Sequence, residues 1–579
     1  MRNIFKKKLT YLLIGGILVG PIACKEDFLD VPVTQQLTEA TLGNQRGIEG
    51  MLIGAYSALN GKDNGWFGGA TNWLWGSIRG GDANKGSNAG DFNTMSPIQR
   101  FELDAVNPEI GGKWGGSYEG VARTNALLSN MAKATDLDEA AKTRITAEAR
   151  FLRGHYYFEL KKTFNDVPFI DETMDIATAS KVPNTLDIWP KIEEDLQFAF
   201  DNLPAAQPQV GRANKWAAGA LLGKAYLYQK KFAEAKAMFD QVIANGQTSN
   251  GLKYGLVPKF QDLFRGVNEN NMESVFAFQA AAGTGNVNNT NHEIAMNYPY
   301  NTGPNGPGEC CGFYAPSFDM VNSYRTNALG LPLLDESYRT PAEELKSDQG
   351  VLSKDAFTPD TKSVDPRLDH SIGRRGIPFL DWGPHPGYDW IRDQSFAGPF
   401  TQKKFSYQKA EKGKYQDGSS WTPGYQAINF MYIRYADVLL MAAEAEVEVG
   451  SLSVALEYVN QIRRRAGNSP LEGSTATYVV SPYLVFPDKD FAREAVRFER
   501  KLELALEGHR FFDLVRWGIA EREINEYLAY DGAKLTTNLG GAKFQANKSE
   551  YLPIPQRQID LQGAMPTGDS KVLTQNPGY

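Results

Sequence analysis

Two segments of the chain have the residue pattern of paired helices, and they constrain the fold more than any other feature. Residues 215–244 place Gly223 on a first amphipathic run and Ala235 on a second. Small residues at such positions let two antiparallel helices approach closely. Residues 434–466 repeat this design, with Gly450 at the corner between the two runs. Two pairs of roughly one repeat length predict a helical scaffold.

The spacing in the first pair is that of a tetratricopeptide repeat. Residues 123–131 and 140–164 also show helical periodicity, and the second run ends at "NDVP", where Pro168 disfavours further helix. The predicted fold class is mainly α. Tetratricopeptide-like helix pairs form the scaffold, and long irregular loops with a few short strands form the binding face.

The N-terminus has the pattern of an export signal. A basic head precedes the apolar run 9–19, which is too short to cross a bilayer as a helix. We expect residues 1–23 to be a signal peptide. Cys24 follows "GPIA" and resembles the lipidated cysteine of a bacterial lipoprotein, so residues 24–38 are predicted to be a lipidated tether. The alternative is ordinary signal-peptidase cleavage and a secreted protein.

The residues after Cys24 resemble a sorting signal for the cellular location of the protein. Lys25-Glu26-Asp27 is similar to the Lys-acid-acid signal that some lipoproteins use to reach the outer face of the outer membrane. The remaining residues, 39–579, contain no apolar run of about 18 residues and are predicted to form a single domain anchored by lipid.

The charge of the mature chain disfavours nucleic acid as a ligand. Residues 1–23 hold four of the 61 basic residues and none of the 68 acidic ones, so cleavage changes the net charge from −7 to −11. Phosphate affinity comes from clustered lysine and arginine. The five histidines are widely spaced, and no cofactor or metal centre is predicted. A structural calcium ion near Asp82 or Asp91 has no motif to support it.

Three irregular, aromatic-rich tracts interrupt the helical pattern, at residues 61–108, 280–324 and 365–421. Long loops in a compact domain are usually functional or disordered, and aromatic content argues against disorder. Binding sites in such loops use flat aromatic faces for stacking and polar side chains for directional hydrogen bonds. We therefore expect the ligand site in these tracts, with at least one exposed ring among the four of residues 66–75. The candidates are Trp66, Asn72, Trp73, Trp75, Arg79, Asp82, Tyr298, Tyr300, Trp382 and Trp390.

Among these candidates, Trp73 and Trp75 rank first, then Tyr298 and Tyr300, then Trp382. The aromatic cluster around Trp382 fits contact with a partner protein equally well, because aromatics also anchor interfaces. Cys310 and Cys311 are adjacent in the second tract. They either close into a vicinal disulfide that stiffens this loop or pack as two thiols.

The stretch "EGHRFFDLVRWG", residues 507–518, resembles an active-site segment more than any other part of the chain. It is interpreted instead as frame, that is, as part of the structural scaffold. Its charged residues recur every three or four positions along a helix, the spacing of intrahelical ion pairs. Arginine within a turn of each acid lowers the pKa of that acid, which is the opposite of what a general acid requires. No catalytic residue is therefore assigned.

Six segments in chain order make the sequence resemble the RagB/SusD family: "EARFLRGHYYFELKKTFNDVPFI", "ANKWAAGALLGKAYLYQKKFAEA", "RYADVLLMAAEAEVEVG", "VNQIRRRAG", "FERKLELALEGHRFFDLVRWG" and "YLPIPQRQIDL" with the terminal "LTQNPGY". The resemblance implies an α-helical outer-membrane lipoprotein. Such a protein captures nutrient, usually a glycan, and covers a SusC-like TonB-dependent transporter. It also implies that the first tract and the middle of the chain line the ligand site.

The resulting functional hypothesis is a binding protein, not an enzyme. It captures a polysaccharide or oligosaccharide at the cell surface and delivers it to a SusC-like transporter. Peptide capture by a member of the same family is the alternative within the binding class. A surface glycoside hydrolase is the alternative from another class, because acidic residues are plentiful enough to supply two facing carboxylates.

Overall fold

The computed structural model describes residues 42–61, 65–69, 71–308, 310–418, 424–563 and 572–579. The predicted signal peptide, Cys24 and the tether lie outside these residues. Helices of eight residues or more are α1 Gln45–Ser57, α2 Pro108–Met131, α3 Glu139–Phe164, α4 Trp189–Asn202, α5 Lys215–Tyr228, α6 Phe232–Asn245, α7 Tyr435–Val449, α8 Leu452–Gly467, α9 Lys489–Glu503, α10 Arg510–Trp517, α11 Ala520–Lys534 and α12 Gln556–Gly563.

Shorter helical segments occupy the connections. Short α-helices lie at Met95–Gln99, Ile176–Ala179, Phe318–Ser323, Arg367–Ser371, Gln394–Ala397 and Thr536–Leu539, and a π-helix lies at Trp73–Ile78. The 3₁₀ turns are Ala58–Asn60, Phe260–Phe264, Gly266–Asn268, Val287–Asn289, His292–Asn297, Gly303–Asn305, Ser337–Arg339, Tyr388–Trp390 and Lys409–Glu411.

The strands are short and form two-stranded sheets. They are β1 Ala83–Gly86, β2 Ser274–Phe278, β3 Phe313–Pro316, β4 Ser363–Val364, β5 Ile372–Gly373, β6 Thr401–Gln402, β7 Gln416–Asp417, β8 Tyr425–Gln426, β9 Phe430–Arg434 and β10 Thr477–Tyr478. The pairs β1–β3, β2–β9, β5–β6 and β7–β8 are antiparallel, and β4–β10 is parallel. Ala83 lies opposite Pro316, and Ser274 lies opposite Arg434.

The long helices pack in chain order from α1 to α8, each against the next. Helix α9 then packs on both α7 and α8. This is the arrangement of stacked antiparallel helix pairs, in which each pair buries its apolar face on its neighbours. The predicted fold class, mainly α with tetratricopeptide-like pairs, is confirmed.

The first predicted pair corresponds to α5 and α6. Asn214 caps α5 by accepting the amide of Ala217 at 2.9 Å, and Lys230 adopts a left-handed φ of 59° in the turn. A Cβ on Gly223 would lie 2.7 Å from the ring of Phe239, so the small residue is required by the close approach of the helices. The second pair, α7 and α8, begins after strand β9, one residue later than predicted.

The helix α2 differs from the sequence prediction because it begins at Pro108, well before residue 123. Five glycines between residues 111 and 120 weaken the helical signal. The structure gives a reason for two of them. A Cβ on Gly116 would lie 2.5 Å from the backbone oxygen of Gly68, and one on Gly120 would meet the ring of Tyr156. Tertiary packing therefore overrides intrinsic helix propensity here.

The three irregular tracts meet in space through two strand contacts. Strand β1 of the first tract pairs with β3 of the second, and β3 contacts β6 of the third. Most of the aromatic residues at this junction are buried, and they join the main hydrophobic core. The junction is where side chains from all three tracts can act together.

Candidate functional site

The two highest-ranked candidates are buried in the core. Trp73 and Trp75 lie on the π-helix with exposed fractions of 2% and 1%. The ring of Trp73 packs against Phe67 and Tyr314, and Nε1 of Trp75 donates to the backbone oxygen of Phe67 at 2.9 Å. Neither ring presents a face to solvent. The prediction that they are stacking platforms is therefore wrong.

The polar candidates of the first tract are also internal. Asn72 donates to Glu159 at 2.9 Å and accepts from the Lys113 ammonium at 2.8 Å. The guanidinium carbon of Arg79 lies 4.0 Å from the ring centroid of Phe511. Each side chain is 4% exposed or less. Their hydrogen bonds hold the first tract against the scaffold, so the structure contradicts a direct role in ligand binding.

Asp82 is a further internal candidate. Its Oδ2 accepts the hydroxyl of Ser77 and the backbone amide of Leu506, both at 3.0 Å. Burial raises the pKa of Asp82 to about 6. Asp82 therefore fixes the start of β1 to the segment before α10.

Trp66 keeps part of its surface open, although it is less exposed than the prediction of at least one exposed ring in residues 66–75 requires. Its ring centroid lies 5.6 Å from that of His292 and 6.1 Å from that of Tyr425. Trp66 is half-buried. The segments on either side of this group, residues 62–64 and 419–423, lie outside the described residues. We call Trp66, His292 and Tyr425 the Trp66 cluster.

Three other candidates lie in packed surroundings. Tyr298 is 0% exposed and packs edge-on against Tyr407, while Trp390 is 6% exposed and packs against His385. Trp382 is half-buried and donates from Nε1 to the backbone oxygen of Tyr407 at 3.1 Å. The structure therefore contradicts ligand stacking by Tyr298 and Trp390, because each ring is enclosed, and leaves part of Trp382 accessible.

Tyr300 is the candidate that the structure places best. Its ring is half-buried, and the guanidinium carbon of Arg392 lies 5.3 Å from the ring centroid. Arg392 Nη1 lies 2.5 Å from Asp91 Oδ2 and 3.0 Å from Ser87 Oγ. The side chains of Arg392 and Asp91 are 29% and 27% exposed. An aromatic face, a cation and a carboxylate thus converge at one accessible place, and the buried hydroxyl of Ser87 holds the cation from behind.

The loop of residues 310–312, in the second tract, lies next to Tyr300. Cys310 and Cys311 form a disulfide, and Cys310 is half-buried. A Cβ on Gly312 would lie 3.1 Å from Cβ of Tyr300. The amide of Gly312 donates to Tyr298, and its oxygen accepts the amide of Ser87 at 2.6 Å. This tight loop fixes the backbone on both sides of the ring.

We call Ser87, Asp91, Tyr300, Cys310 and Arg392 the Tyr300 group. Its members come from all three tracts. The sequence analysis missed Ser87 and Arg392. Arg392 follows Trp390 in "DWIRDQ", and a cation next to an aromatic run was a usable signal. Ser87 had no distinguishing signal, because only the β1–β3 pairing brings it to the site.

The stretch 507–518 lies in the frame, as predicted, but most of its ion pairs reach other elements instead of staying within one helix. Arg434 donates to Glu507 from Nε at 2.7 Å and from Nη2 at 2.9 Å, and Lys404 donates to Glu507 at 2.7 Å. All three side chains are 2% exposed or less. Burial raises the pKa of Glu507, but Arg434 and Lys404 outweigh it and hold that pKa below its usual value. An ionised, fully paired glutamate is not a general acid.

One carboxylate cluster within the described residues has the spacing of metal ligands, Glu336, Glu523 and Glu526. Arg339 pairs with Glu336 and Glu526, and Arg510 pairs with Glu523 at 3.0 Å. Arginine thus already balances the charge of this cluster. The expectation that the protein needs no cofactor stays a prediction.

Family models match most of the chain. A model described as "SusD family" matches residues 272–579. The chain belongs to the SusD family. A second model, described as "Starch-binding associating with outer membrane", matches residues 27–227. The predicted RagB/SusD resemblance is therefore confirmed. No helix among the described residues is long and apolar enough to span a membrane.

Individual SusD-like proteins align along nearly the whole chain. SusD-like protein P2 of Formosa agariphila is 25% identical over 590 residues, which cover 99% of this chain and 100% of that protein. The structure of a laminarin-binding SusD-like protein superposes with a TM-score of 0.64 at 25% identity, covering 93% of this chain and 100% of that one. A SusD superfamily protein from Bacteroides vulgatus gives a TM-score of 0.66 at 23% identity, covering 92% and 99%.

Proposed function

We propose that this protein captures a polysaccharide or oligosaccharide at the cell surface and delivers it to a SusC-like TonB-dependent transporter. Family membership supports the binding class, and a relative of 25% identity is described as laminarin-binding. The lipid anchor at Cys24 and the outer-membrane location are part of the same proposal. The description of the second family model, which mentions the outer membrane, supports them.

The Tyr300 group is the observation on which this proposal rests. Sugars present apolar C–H faces, which stack on a tyrosine ring, and a rim of hydroxyls. Arg392 and Asp91 provide a donor and an acceptor next to that ring, and each keeps over a quarter of its side chain exposed. Charge-assisted hydrogen bonds to such groups are stronger than neutral ones. The group therefore has the chemistry to orient one sugar unit.

The test is a calorimetric titration of the mature body, residues 25–579, against neutral and acidic polysaccharides and peptides. Tyr300→Ala should weaken glycan binding about tenfold, or about 1.4 kcal/mol, because the stacking face is lost. Tyr300→Phe keeps that face and should bind nearly as well as the wild type.

Tyr226→Ala is the matched control. Tyr226 on α5 is half-buried, and Lys231 lies over its ring at 5.8 Å, much as Arg392 lies over Tyr300. Equal losses in Tyr300→Ala and Tyr226→Ala would show that the effect is not local to the site. A loss in Trp66→Ala instead would move the site to the Trp66 cluster. Binding of peptides but no glycan would replace the sugar proposal with peptide capture.

Hydrolysis is the rival function that a specific observation favours. Burial raises the pKa of Glu269 to about 7, and the charge of Glu411 adds to this rise. Glu411 pairs with Arg265 at 3.0 Å. A carboxyl group of raised pKa near a second carboxylate resembles the pair that glycosidases use at a spacing of roughly 5 to 9.5 Å.

The two functions differ in what they release. A capture protein binds glycan without producing new reducing ends. Release of reducing ends by the wild type that disappears in Glu269→Gln would establish hydrolysis. Binding of equal strength in both proteins, with no release from either, would dispose of it.

A further inference from the structure

A cavity of about 550 Å³ is connected by a hydrogen bond to the segment that holds Arg392. Gln394 follows Arg392 by two residues, and its side-chain oxygen accepts the amide of Gly350 at 2.8 Å. Its backbone oxygen accepts Nε2 of Gln349, which lines the cavity. The other lining residues are Phe318, Pro341, Glu344, Leu345, Lys346, Ser347, Asp360, Lys362 and Lys534. The cavity is therefore a neighbour of the Tyr300 group.

The carboxylates of this cavity are already occupied. Glu344 accepts the Tyr530 hydroxyl at 2.7 Å and pairs with Lys534 at 2.8 Å. The two oxygens of Asp360 accept the backbone amides of Lys346 and Lys362. The acids thus shape the loop and hold one lysine. Three lysines against two acids leave the lining with a net positive charge.

Lys346 is the most available of the three cations. Its side chain is exposed, and Nζ lies 4.9 Å from the ring centroid of Phe357. Among the described residues, Nζ makes no ion pair or hydrogen bond. Lys362 Nζ donates to the backbone oxygen of Glu344 at 2.7 Å, which leaves further donors on the ammonium. Two ammonium groups can therefore approach an incoming anion.

The cavity also has features that suit a sugar ring. Oε1 of Gln349 is buried and accepts no hydrogen bond from any described residue, although it has the capacity to accept one. Phe318 forms an apolar part of the lining, with the Lys534 ammonium 5.5 Å from its ring centroid. An apolar surface, a buried amide oxygen without a donor, and cations together match a sugar unit that bears an anionic group.

We propose that this cavity is a subsite for a sugar unit that bears a carboxylate or sulfate group, so that the captured glycan is anionic. The inference rests on the proposed glycan-binding function and deepens it. The net charge of −11 does not oppose it at contact distance, because salt screens charges beyond about 8 to 10 Å, whereas the ammonium groups act locally. Overall charge sets only the rate of approach.

The test compares oligosaccharides of one backbone and length in neutral, carboxylated and sulfated forms, titrated at low and high NaCl. Lys346→Gln should weaken binding of the charged forms about two- to fivefold, as expected for a partly exposed ion pair, and leave the neutral form unchanged. Lys346 makes no hydrogen bond through Nζ, so folding should be preserved. Lys253→Gln, at an exposed lysine outside the cavity, is the matched control and should change nothing.

Several results would contradict the proposal of an anionic subsite. These are equal affinities for neutral and charged forms, an unchanged affinity in Lys346→Gln, or equal losses in Lys346→Gln and Lys253→Gln. Competition by inorganic sulfate at the concentration of the sulfated oligosaccharide would show binding of a bare anion only, and would also overturn it. If one of these results is found while Tyr300→Ala still weakens binding of the neutral form, the proposed glycan capture stands and only the anionic subsite fails.

Discussion

Arg434 offers the sharpest test of the interpretation that residues 507–518 belong to the frame. Its guanidinium makes five hydrogen bonds, two to the carboxylate of Glu507, two to Glu503 and one to Glu273. These side chains are 2% exposed or less. The perturbation is Arg434→Met, which keeps much of the side-chain volume and removes every donor.

Removing one partner of a buried ion pair costs about 3 to 5 kcal/mol, because the remaining charge stays buried. Here other cations partly compensate. Lys404 still pairs with Glu507, Arg465 still pairs with Glu273 and Glu503, and Arg367 reaches Glu503 at 2.8 Å. We therefore expect the lower end, about 3 kcal/mol, which is a large part of the 5 to 15 kcal/mol that stabilises a typical protein.

The assay is urea unfolding followed by tryptophan fluorescence. Arg464→Met is the matched control, because Arg464 pairs with Glu457 at the surface with 46% and 53% of the side chains exposed. An exposed pair of this kind contributes about 0 to 1 kcal/mol. Arg434→Met should unfold at clearly lower urea and, where still folded, bind glycan with unchanged affinity. A loss below about 1 kcal/mol, or a folded variant that has lost binding, would refute the frame interpretation.

Further predictions concern pH, packing, anchoring and the buried tryptophan. Burial lowers the pKa of His385 to about 3 in the folded protein, against about 6.5 in the unfolded chain. The contribution of neutral His385 to the free energy of unfolding is therefore complete above pH 6.5 and is lost as the pH falls towards 3. Between pH 7.5 and 5.0 the wild type should lose about 2 kcal/mol more unfolding free energy than His385→Gln, and equal losses would contradict this. Gly120→Ala should destabilise by about 1 to 3 kcal/mol because its Cβ meets Tyr156, whereas Gly111→Ala, with open space around it, should be neutral or stabilising by up to about 1 kcal/mol in the same urea assay. Cys24→Ala should move the protein from the membrane to the soluble fraction, and retention in the membrane would argue against lipidation. Trp73→Ala should lower the free energy of unfolding by about 3 to 5 kcal/mol, and a smaller loss would mean that this ring is not core.

The scaffold could be predicted from the sequence because its signals are local. Helical periodicity and small residues such as Gly223 are set by the contact between neighbouring helices, and they leave a pattern within one repeat length. The first half of α2 could not be predicted. Its glycines, such as Gly116, are required by a contact with Gly68 that lies far away along the chain.

The site was less predictable because exposure is a tertiary property. Glycines around Trp73 and Trp75 suggested little local core, but the core comes from other tracts, through Tyr314 and the packing of α10 on the π-helix. Tyr300 and Asp91 lie in two of the tracts in which the ligand site was predicted. Their combination with Arg392 depends on strand pairing, which no local pattern in the sequence specifies.

The buried tryptophans nevertheless bear on binding, through the position of the loop that holds Asp91. Phe92, next to Asp91, packs edge-on against Phe67, and Phe67 packs against Trp73. Removing Trp73 therefore loosens the support of Asp91 without touching ligand. A loss of affinity in Trp73→Ala would have to accompany a loss of stability, whereas Tyr300→Ala should lose affinity alone because its ring is half-exposed. Comparing the two variants in both assays separates a stacking face from the core that positions it.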